Sequence, residues 1–307
     1  MNARWQKILV LGWLLASAAW LAWAWPRSLA LALGGWAIAA STSLAWLGLQ
    51  FVLMRRINRR DATPAAGRWA LLRAWWLEAL TCTWVFGWLQ PFAHRQQPDW
   101  LPPTPTGQRG VVLVHGFLCN RGVWLPWLPE LRARGHAYVA LTLEPAFGSV
   151  DDYVAAIDTA MRQVQAATGL PPVLVGHSMG GLAARAWLRT LAQPPAQRVH
   201  RILTLGTPHH GTWPARFSHT TNGMQMRLDS PWLQALAASE GAAQRALFSC
   251  WYSDCDNIVY PTRSATLDGA DNHLLQGLGH VHMVYAPQVR AACWQALQTG
   301  PGSAVSN

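Results

Sequence analysis

The sequence predicts an α/β fold, a mostly parallel β-sheet flanked by helices, preceded by a transmembrane helical hairpin. Short uncharged apolar runs beyond residue 110 indicate the sheet, because they are typical of buried parallel strands. Two longer uncharged runs before residue 55 indicate the hairpin. Composition agrees: 51% of the 307 residues are apolar, only 12% are charged, and the tryptophans are concentrated in the first 100 residues.

The two runs near the start are long enough to cross a membrane. Residues 8–25 and 28–54 comprise 18 and 27 uncharged residues, and a spanning helix needs about 20 apolar residues. Arg4 and Lys7 precede the first run, which is also the arrangement of a cleavable signal peptide. Its apolar core is long for that role and a second run follows at once, so the sequence favours a membrane hairpin.

Basic residues predict the side of the membrane on which the flanks lie. Arg27 is the only basic residue between the two runs, whereas residues 55–60 contain four arginines, so we expect both flanks to be cytoplasmic. Residues 74–92 form a third apolar stretch, but it contains Glu78, and a carboxylate in a bilayer is costly. We expect a helix at the interface or packed on the globular domain; if it spans instead, that domain is periplasmic. The predicted location is the bacterial inner membrane, multi-pass.

A proline-rich stretch, residues 93–106, predicts a semi-rigid linker and a domain boundary. The predicted organisation is a membrane anchor with two transmembrane helices over residues 1–60, an interfacial helix and linker over residues 61–109, and a catalytic domain over residues 110–300. The tail that follows is expected to be disordered.

The most specific motif is Gly-His-Ser-Met-Gly-Gly at residues 176–181. It follows the apolar run 172–175 and precedes the helix-like residues 182–188. A serine on a sharp turn from strand to helix is the context of a nucleophile elbow. The turn crowds the backbone, and its glycines remove the Cβ atoms that would clash. Ser178 is therefore the candidate nucleophile.

An earlier uncharged run, residues 110–114, predicts a buried strand that leads into His115, Gly116 and Phe117. With the serine motif, these residues resemble the α/β-hydrolase superfamily, especially bacterial lipases and esterases, over about residues 110–297. The resemblance implies the α/β-hydrolase fold and a serine, an acid and a histidine in that chain order. It also implies an oxyanion hole formed by the backbone N–H groups of Phe117 and Met179. His115 is an alternative base, but a histidine that ends a strand beside this loop is more typical of a residue that orients the loop by hydrogen bonding.

The acid is expected after the strand predicted at residues 246–252. Asp256 fits the lipase-like pattern, because a small polar residue, two β-branched residues and a nearby proline follow it. Asp254 is the alternative, and its other interpretation is a turn or capping residue.

The base is expected in the Gly-Leu-Gly-His loop that ends at His280, because its glycines free the loop to bring the imidazole over the sheet. His280 matches the family position. His282 is the fallback, and His273 is assigned to a solvated loop.

A further strand is predicted at residues 201–205, and a Thr-Pro-His turn resembling that of many lipases follows it. The adjacent His209 and His210 invite a metal interpretation, but neighbours on a strand end point in opposite directions and lack a surrounding ligand cluster, so no metal is expected. Residues 213–242 fit a cap or lid and an ordinary packed amphipathic helix equally well.

The net charge of +10 does not indicate nucleic-acid binding, because the basic residues are scattered and no recognition motif is present. The arginines of residues 55–60 are better explained as a signal for the orientation of the helices in the membrane and as contacts with membrane lipids. Of the five cysteines, Cys250 and Cys255 are close enough in sequence to pair if the domain is periplasmic.

The predicted function is that of a membrane-anchored serine hydrolase that cleaves carboxylic esters, lipid acyl esters foremost. Ser178, His280 and Asp256 would act through an acyl-enzyme, and no cofactor is expected. The alternatives are an acyltransferase or thioesterase with the same triad, or a catalytically silent membrane scaffold.

Overall fold

The computed structural model describes residues 2–298. The tail for which disorder is predicted, residues 300–307, lies outside the described residues. Residues 110–298, here called the α/β domain, are built on a six-stranded sheet in which all neighbouring strands are parallel and the order is β2-β1-β3-β4-β5-β6. The strands are β1 (Val111–Val114), β2 (Tyr138–Ala140), β3 (Val173–His177), β4 (Arg201–Leu205), β5 (Phe248–Ser253) and β6 (Asp271–Leu275).

Ten α-helices accompany the sheet within residues 2–298. They are α1 (Asn2–Ala24), α2 (Leu29–Asn58), α3 (Arg68–Trp84), α4 (Leu128–Ala133), α5 (Val154–Thr168), α6 (Met179–Arg189), α7 (Thr221–Gln225), α8 (Pro231–Ala238), α9 (Ala242–Arg245) and α10 (Pro287–Gln298). Buried aliphatic and aromatic residues form one core on each face of the sheet, the first with α5 and α6 and the second with α10. Both faces are covered, which is why β1 and most of β3 and β4 are apolar.

His273 corrects one sequence prediction, because it lies on β6 and not in a solvated loop. It pairs with Trp251 of β5, and the two rings stack with their centroids 4.3 Å apart. Its Nε2 lies 2.9 Å from the carboxylate of Asp271. The strand was not recognisable as an apolar run because it is polar and mostly exposed at the edge of the sheet.

α1 and α2 are the two helices among the described residues that are long and apolar enough to cross a membrane. They pack on each other, and the Trp20 indole N–H donates to the carbonyl of Ala32 at 3.1 Å. A Cβ on Gly35 would collide with the Trp20 ring, so the glycine allows this contact. Most of their large apolar side chains face outward, Leu15 being 73% exposed and Ile38 71%.

The third apolar stretch is packed on the α/β domain. α3 continues into a π-helical segment, Val85–Ala93. Val85, Leu89 and Ala93 are buried in the same core as Trp124 and Trp127. Glu78 of α3 is fully buried.

Part of the proline-rich stretch packs on the α/β domain. Trp100 and Tyr138 exchange backbone hydrogen bonds of 3.0 and 2.9 Å, extending the sheet edge beside β2. The Asp99 carboxylate lies 2.6 Å from the Arg121 guanidinium. All five cysteines, each within the described residues, are free.

Candidate active site

Ser178 occupies the turn between β3 and α6 in a strained backbone conformation. Its φ of 55° and ψ of −127° lie in a region that non-glycine residues rarely adopt, and such strain persists only where the surroundings hold it. The Ser178 N–H donates to the carbonyl of Leu205 at 2.8 Å, and the Thr207 hydroxyl donates to the carbonyl of Ser178 at 2.9 Å. The end of β4 therefore fixes the turn.

The glycines of the elbow are required by backbone contacts. A Cβ on Gly176 would lie 2.7 Å from the nitrogen of Gly181 on the far side of the turn. A Cβ on Gly180 would lie 2.8 Å from the carbonyl oxygen of His115, in the loop after β1. The crowding thus involves the neighbouring loop as well as the turn itself.

Asp256 and His280 form a buried hydrogen-bonded pair. The Asp256 Oδ2 accepts from the His280 Nδ1 at 2.9 Å, and the two residues are only 2% and 5% exposed. The Asp256 Oδ1 accepts the N–H groups of Ile258 at 2.9 Å and Val259 at 2.8 Å. These bonds fix the carboxylate so that its second oxygen faces the imidazole.

The alternative residues are engaged elsewhere. Asp254 is half-buried and accepts the Gly277 N–H at 2.7 Å, which is a loop-stabilising contact. His282 is half-buried, and its own backbone N–H donates to Glu78 at 2.9 Å. Among the three candidate histidines, the one that contacts Asp256 is His280.

The surroundings of His280 favour its protonated form. Burial opposes protonation, but the charge and the hydrogen bond of Asp256, together with the charge of Glu78, outweigh it and raise the pKa of His280 above its ordinary value. His177 lies on the other side, with ring centroids 4.6 Å apart and its Nε2 donating to the carbonyl of His280 at 3.1 Å. Burial holds the pKa of His177 well below its ordinary value, so this ring is neutral.

The two predicted oxyanion-hole amides flank Ser178. Met179 follows the serine as the first residue of α6, and a Cβ on Gly116, next to Phe117, would lie 2.7 Å from the Ser178 Cβ. Within residues 2–298, neither the Phe117 N–H nor the Met179 N–H has a protein acceptor. Both donors are thus free to bind an oxygen atom near Ser178.

His115 holds the loop that carries Phe117. Its Nε2 accepts the Leu143 N–H at 2.9 Å, and its Nδ1 donates to the carbonyl of Gly116 at 2.8 Å. Burial lowers the pKa of His115 to about 4, so it is neutral with one fixed tautomer. This arrangement orients the loop and does not place the imidazole as a base.

The segment over residues 213–242 combines packed and exposed parts. α8 packs against α6, with Leu233 and Leu236 buried. Phe217 and Met224 are 66% and 43% exposed. The segment therefore combines a helix packed on α6 with an exposed apolar part.

Ser178, the Asp256 loop and the His280 loop follow β3, β5 and β6, and so meet at the carboxyl edge of the sheet, where open α/β sheets bind ligands. The same topology recurs in solved lipases. The mature Bacillus licheniformis lipase BlEst2 superposes with a TM-score of 0.55 at 16% identity, covering 66% of this chain and 96% of that one. Aspergillus fumigatus lipase B gives a TM-score of 0.56 at 21% identity, covering 69% of this chain and 58% of that one. By fold, the chain is an α/β-hydrolase.

Sequence comparison agrees with this assignment. Residues 142–264 match the family model of a PGAP1-like alpha/beta domain. The polyneuridine aldehyde esterase of Rauvolfia serpentina is 24% identical over 178 residues, which is 52% of this chain and 67% of that protein. The chain is thus similar to lipases and esterases within the α/β-hydrolase superfamily.

Three residues around the candidate site were not assigned to it from the sequence. Gly206, with a φ of +54°, lies where a Cβ would approach the Asp256 Oδ2 to 2.9 Å. Asn257 accepts the His280 N–H at 3.2 Å, and its amide donates to Gln50 of α2 at 2.8 Å. Glu78 binds the loop after His280. In the sequence, Glu78 is the lone carboxylate inside an apolar stretch. Buried charges are usually paired or functional, so this position indicated a role that the sequence alone did not specify.

Proposed function

We propose that this chain is a membrane-anchored serine hydrolase that cleaves carboxylic esters through Ser178, His280 and Asp256, with lipid acyl esters as its substrates. The observation that carries the proposal is the strained elbow serine at the same sheet edge as the buried His280–Asp256 pair. A carboxylate-oriented imidazole beside a serine on a nucleophile elbow is the constellation required for acyl transfer.

In the proposed mechanism, the Ser178 Oγ attacks the ester carbonyl carbon while the His280 Nε2 takes the hydroxyl proton. The carbonyl oxygen becomes negatively charged and accepts hydrogen bonds from the N–H groups of Phe117 and Met179. The C–O bond to the alcohol then breaks, and the alcohol leaves with the proton held on His280. Water repeats the attack on the acyl-enzyme, and the carboxylic acid is released.

Exposed apolar residues next to the proposed oxyanion hole support a lipidic substrate. Leu118, adjacent to Phe117, is 46% exposed, and Phe147 is 53% exposed. The rings of Phe147 and Phe117 meet edge to face, with their centroids 6.0 Å apart. Such a patch beside a catalytic serine suits an acyl chain or a membrane surface. The solved proteins from Bacillus licheniformis and Aspergillus fumigatus that share the fold are lipases, which agrees with a lipidic substrate.

We assign α1 and α2 to the bacterial inner membrane as a hairpin, with the catalytic domain on the cytoplasmic side. α2 is about 45 Å long at 1.5 Å per residue, which exceeds the roughly 30 Å of bilayer hydrocarbon. Its last part therefore lies outside the bilayer, where Gln50 contacts Asn257 and Asn58 accepts the Thr262 N–H at 3.2 Å. At the start of α1, Asn2 donates to the carbonyl of Cys119 at 2.9 Å. Both outer ends of the hairpin thus face the catalytic domain.

Fluorophosphonate labelling of the detergent-solubilised chain tests the proposal. We expect wild type to be labelled, and Ser178→Ala and His280→Ala to be unlabelled while keeping the wild-type circular dichroism spectrum. A folded wild type that is not labelled would overturn the hydrolase proposal in favour of a silent scaffold.

The acyl acceptor is tested separately, with fatty-acyl esters and thioesters of increasing chain length. Release of free fatty acid supports hydrolysis of lipid esters. Transfer of the acyl group to an added alcohol in preference to water, or a preference for thioesters, would replace the esterase assignment with an acyltransferase or a thioesterase.

A further inference from the structure

Glu78 of α3 is a buried carboxylate that contacts the loop bearing His280. It is fully buried. Its Oε1 accepts the Val281 N–H at 2.8 Å, and its Oε2 accepts the His282 N–H at 2.9 Å. Each oxygen thus binds one of two consecutive amides immediately after the proposed catalytic base.

Both oxygens of Glu78 accept N–H groups, the pattern that favours a carboxylate over a neutral carboxyl group. Burial acts the other way and raises the pKa of Glu78 above its ordinary value, while the N–H groups of Val281 and His282 and the charge of His280 limit that rise. The Cys82 Sγ, 3.6 Å from Oε1, supplies a third donor. Within residues 2–298 these three donors are the hydrogen-bond partners of the Glu78 side chain, and together with the charge of His280 they compensate its burial.

The loop is shaped to receive this carboxylate. A Cβ on Gly279 would collide with the Glu78 Oε2, so the glycine allows the loop to close on it. The His280 N–H donates to Asn257, and the next two amides donate to Glu78. Three consecutive N–H groups around the histidine are therefore held by side chains.

We propose that Glu78 is a positioning residue that fixes the His280 loop, and with it the imidazole, relative to Ser178. This inference rests on the proposed function of the Ser178–His280–Asp256 set. Glu78 lies on a helix before the α/β domain, so the base is held by an element outside the sheet scaffold. Trp84, on the same helix, contacts Tyr285 with ring centroids 5.5 Å apart, which docks α3 on the segment after this loop.

Glu78 also affects the charge of His280. The groups that face this imidazole are the Asp256 carboxylate, the neutral His177 ring and the Glu78 carboxylate, while Cys82 faces Glu78. Both carboxylates favour the imidazolium and raise the pKa of His280. Removal of the Glu78 charge lowers that pKa, so the base stays neutral to a lower pH.

Two substitutions separate charge from size. Glu78→Gln keeps the volume but removes the charge and places an NH₂ group opposite an N–H donor. Glu78→Asp keeps the charge but is one methylene shorter. Glu130→Gln is the matched control, because this glutamate is half-buried between Arg134 and Arg290 and contacts no proposed site residue. The readout is the second-order rate of fluorophosphonate labelling of the solubilised full chain, measured as a function of pH.

We expect Glu78→Gln to lower the labelling rate at its plateau by about 10- to 100-fold, since small misplacement of a catalytic group has effects of this size. The loss of labelling rate at acidic pH, the acidic limb of the profile, should occur at lower pH in Glu78→Gln than in wild type. Glu78→Asp should lower the rate without changing the pH at which this loss occurs. Equal rates and limbs in wild type, Glu78→Gln and Glu130→Gln would overturn the positioning role while the labelled wild type upholds the hydrolase proposal. If Glu78→Gln does not fold, Glu78→Asp and Gly279→Ala serve as the test. Labelling of both variants at the wild-type rate would also overturn the positioning role.

Discussion

The Asp256 carboxylate holds the His280 ring by a 2.9 Å hydrogen bond and helps to raise the pKa of His280. A base works in its neutral form, so wild type loses activity as the pH falls through this raised pKa. Asp256→Asn removes the charge and disturbs the tautomer. We expect labelling and ester hydrolysis to fall by about 10⁴-fold, and the acidic limb to move to lower pH.

The matched control for Asp256→Asn is Asp254→Asn. Asp254 contacts the Gly277 N–H and does not contact His280, so its variant should retain most of the activity and an unshifted acidic limb. If Asp254→Asn lost activity and shifted the pH–rate profile while Asp256→Asn did not, Asp254 would be the acid of the triad.

Gly206 provides a second test of the site at this scale. Its φ is +54°, and a Cβ would lie 2.9 Å from the Asp256 Oδ2 and 3.1 Å from the His280 Nδ1. We expect Gly206→Ala to lower kcat/KM by about 100-fold. Gly269→Ala is the control, because Gly269 also has a positive φ, +79°, but its Cβ would come no closer than 3.8 Å to any neighbour. Both variants should lower Tm through backbone strain of about 1–2 kcal/mol, and equal activities would show that the Gly206 contact is unimportant.

Single residues differed in how far the sequence could predict them. Ser178 sits in a local motif whose glycines, strand and helix are adjacent in the chain, so its surroundings were predictable. The His280–Asp256 contact joins two loops 24 residues apart, and the family pattern rather than spacing suggested it. The partner of the His280 loop, Glu78, is about 200 residues away, and no local pattern reports such a contact.

At the element scale, a buried ion pair ties α6 to the segment after α8. The Arg185 guanidinium donates to both oxygens of Glu240 at 2.7 Å, and it also donates to the carbonyl of His209 at 2.9 Å. Glu240→Ala leaves a buried guanidinium unpaired, so we expect a loss of about 3–5 kcal/mol in the free energy of unfolding. Arg162→Ala, which breaks the exposed pair with Asp158, should cost less than about 0.5 kcal/mol. Denaturant unfolding measures both, and equal losses would contradict the role of burial.

Strands were predictable where their burial leaves an apolar run. β1, β3, β4 and β5 lie inside the sheet and were expected from their sequence. The edge strands β2 and β6 were not, because β2 has three residues and β6 is polar. Tertiary pairing at the edge, not local composition, determines these two strands.

The N-terminal helices contact the α/β domain directly at several points. The sequence indicated two spans from length and hydropathy alone, but the contacts of α1, α2 and α3 with three separate loops of the site could not be predicted. Gln6 of α1 donates to the carbonyl of Leu118 at 3.0 Å, and Gln50 of α2 binds Asn257. Polar contacts of this kind between distant segments depend on the complete fold.

These contacts bring both outer ends of α1 and α2 to the α/β domain. In the proposed hairpin, the arginines of residues 55–60 assign this side to the cytoplasm. We therefore expect Arg27→Cys, in the loop, to react with a membrane-impermeant maleimide added to intact spheroplasts. Arg60→Cys, beyond α2, should react only after lysis. Four of the five native cysteines are buried and Cys82 is half-buried, so wild type is the control for background labelling. Reaction of Arg60→Cys in intact spheroplasts, with Arg27→Cys protected, would reverse the orientation and make the catalytic domain periplasmic.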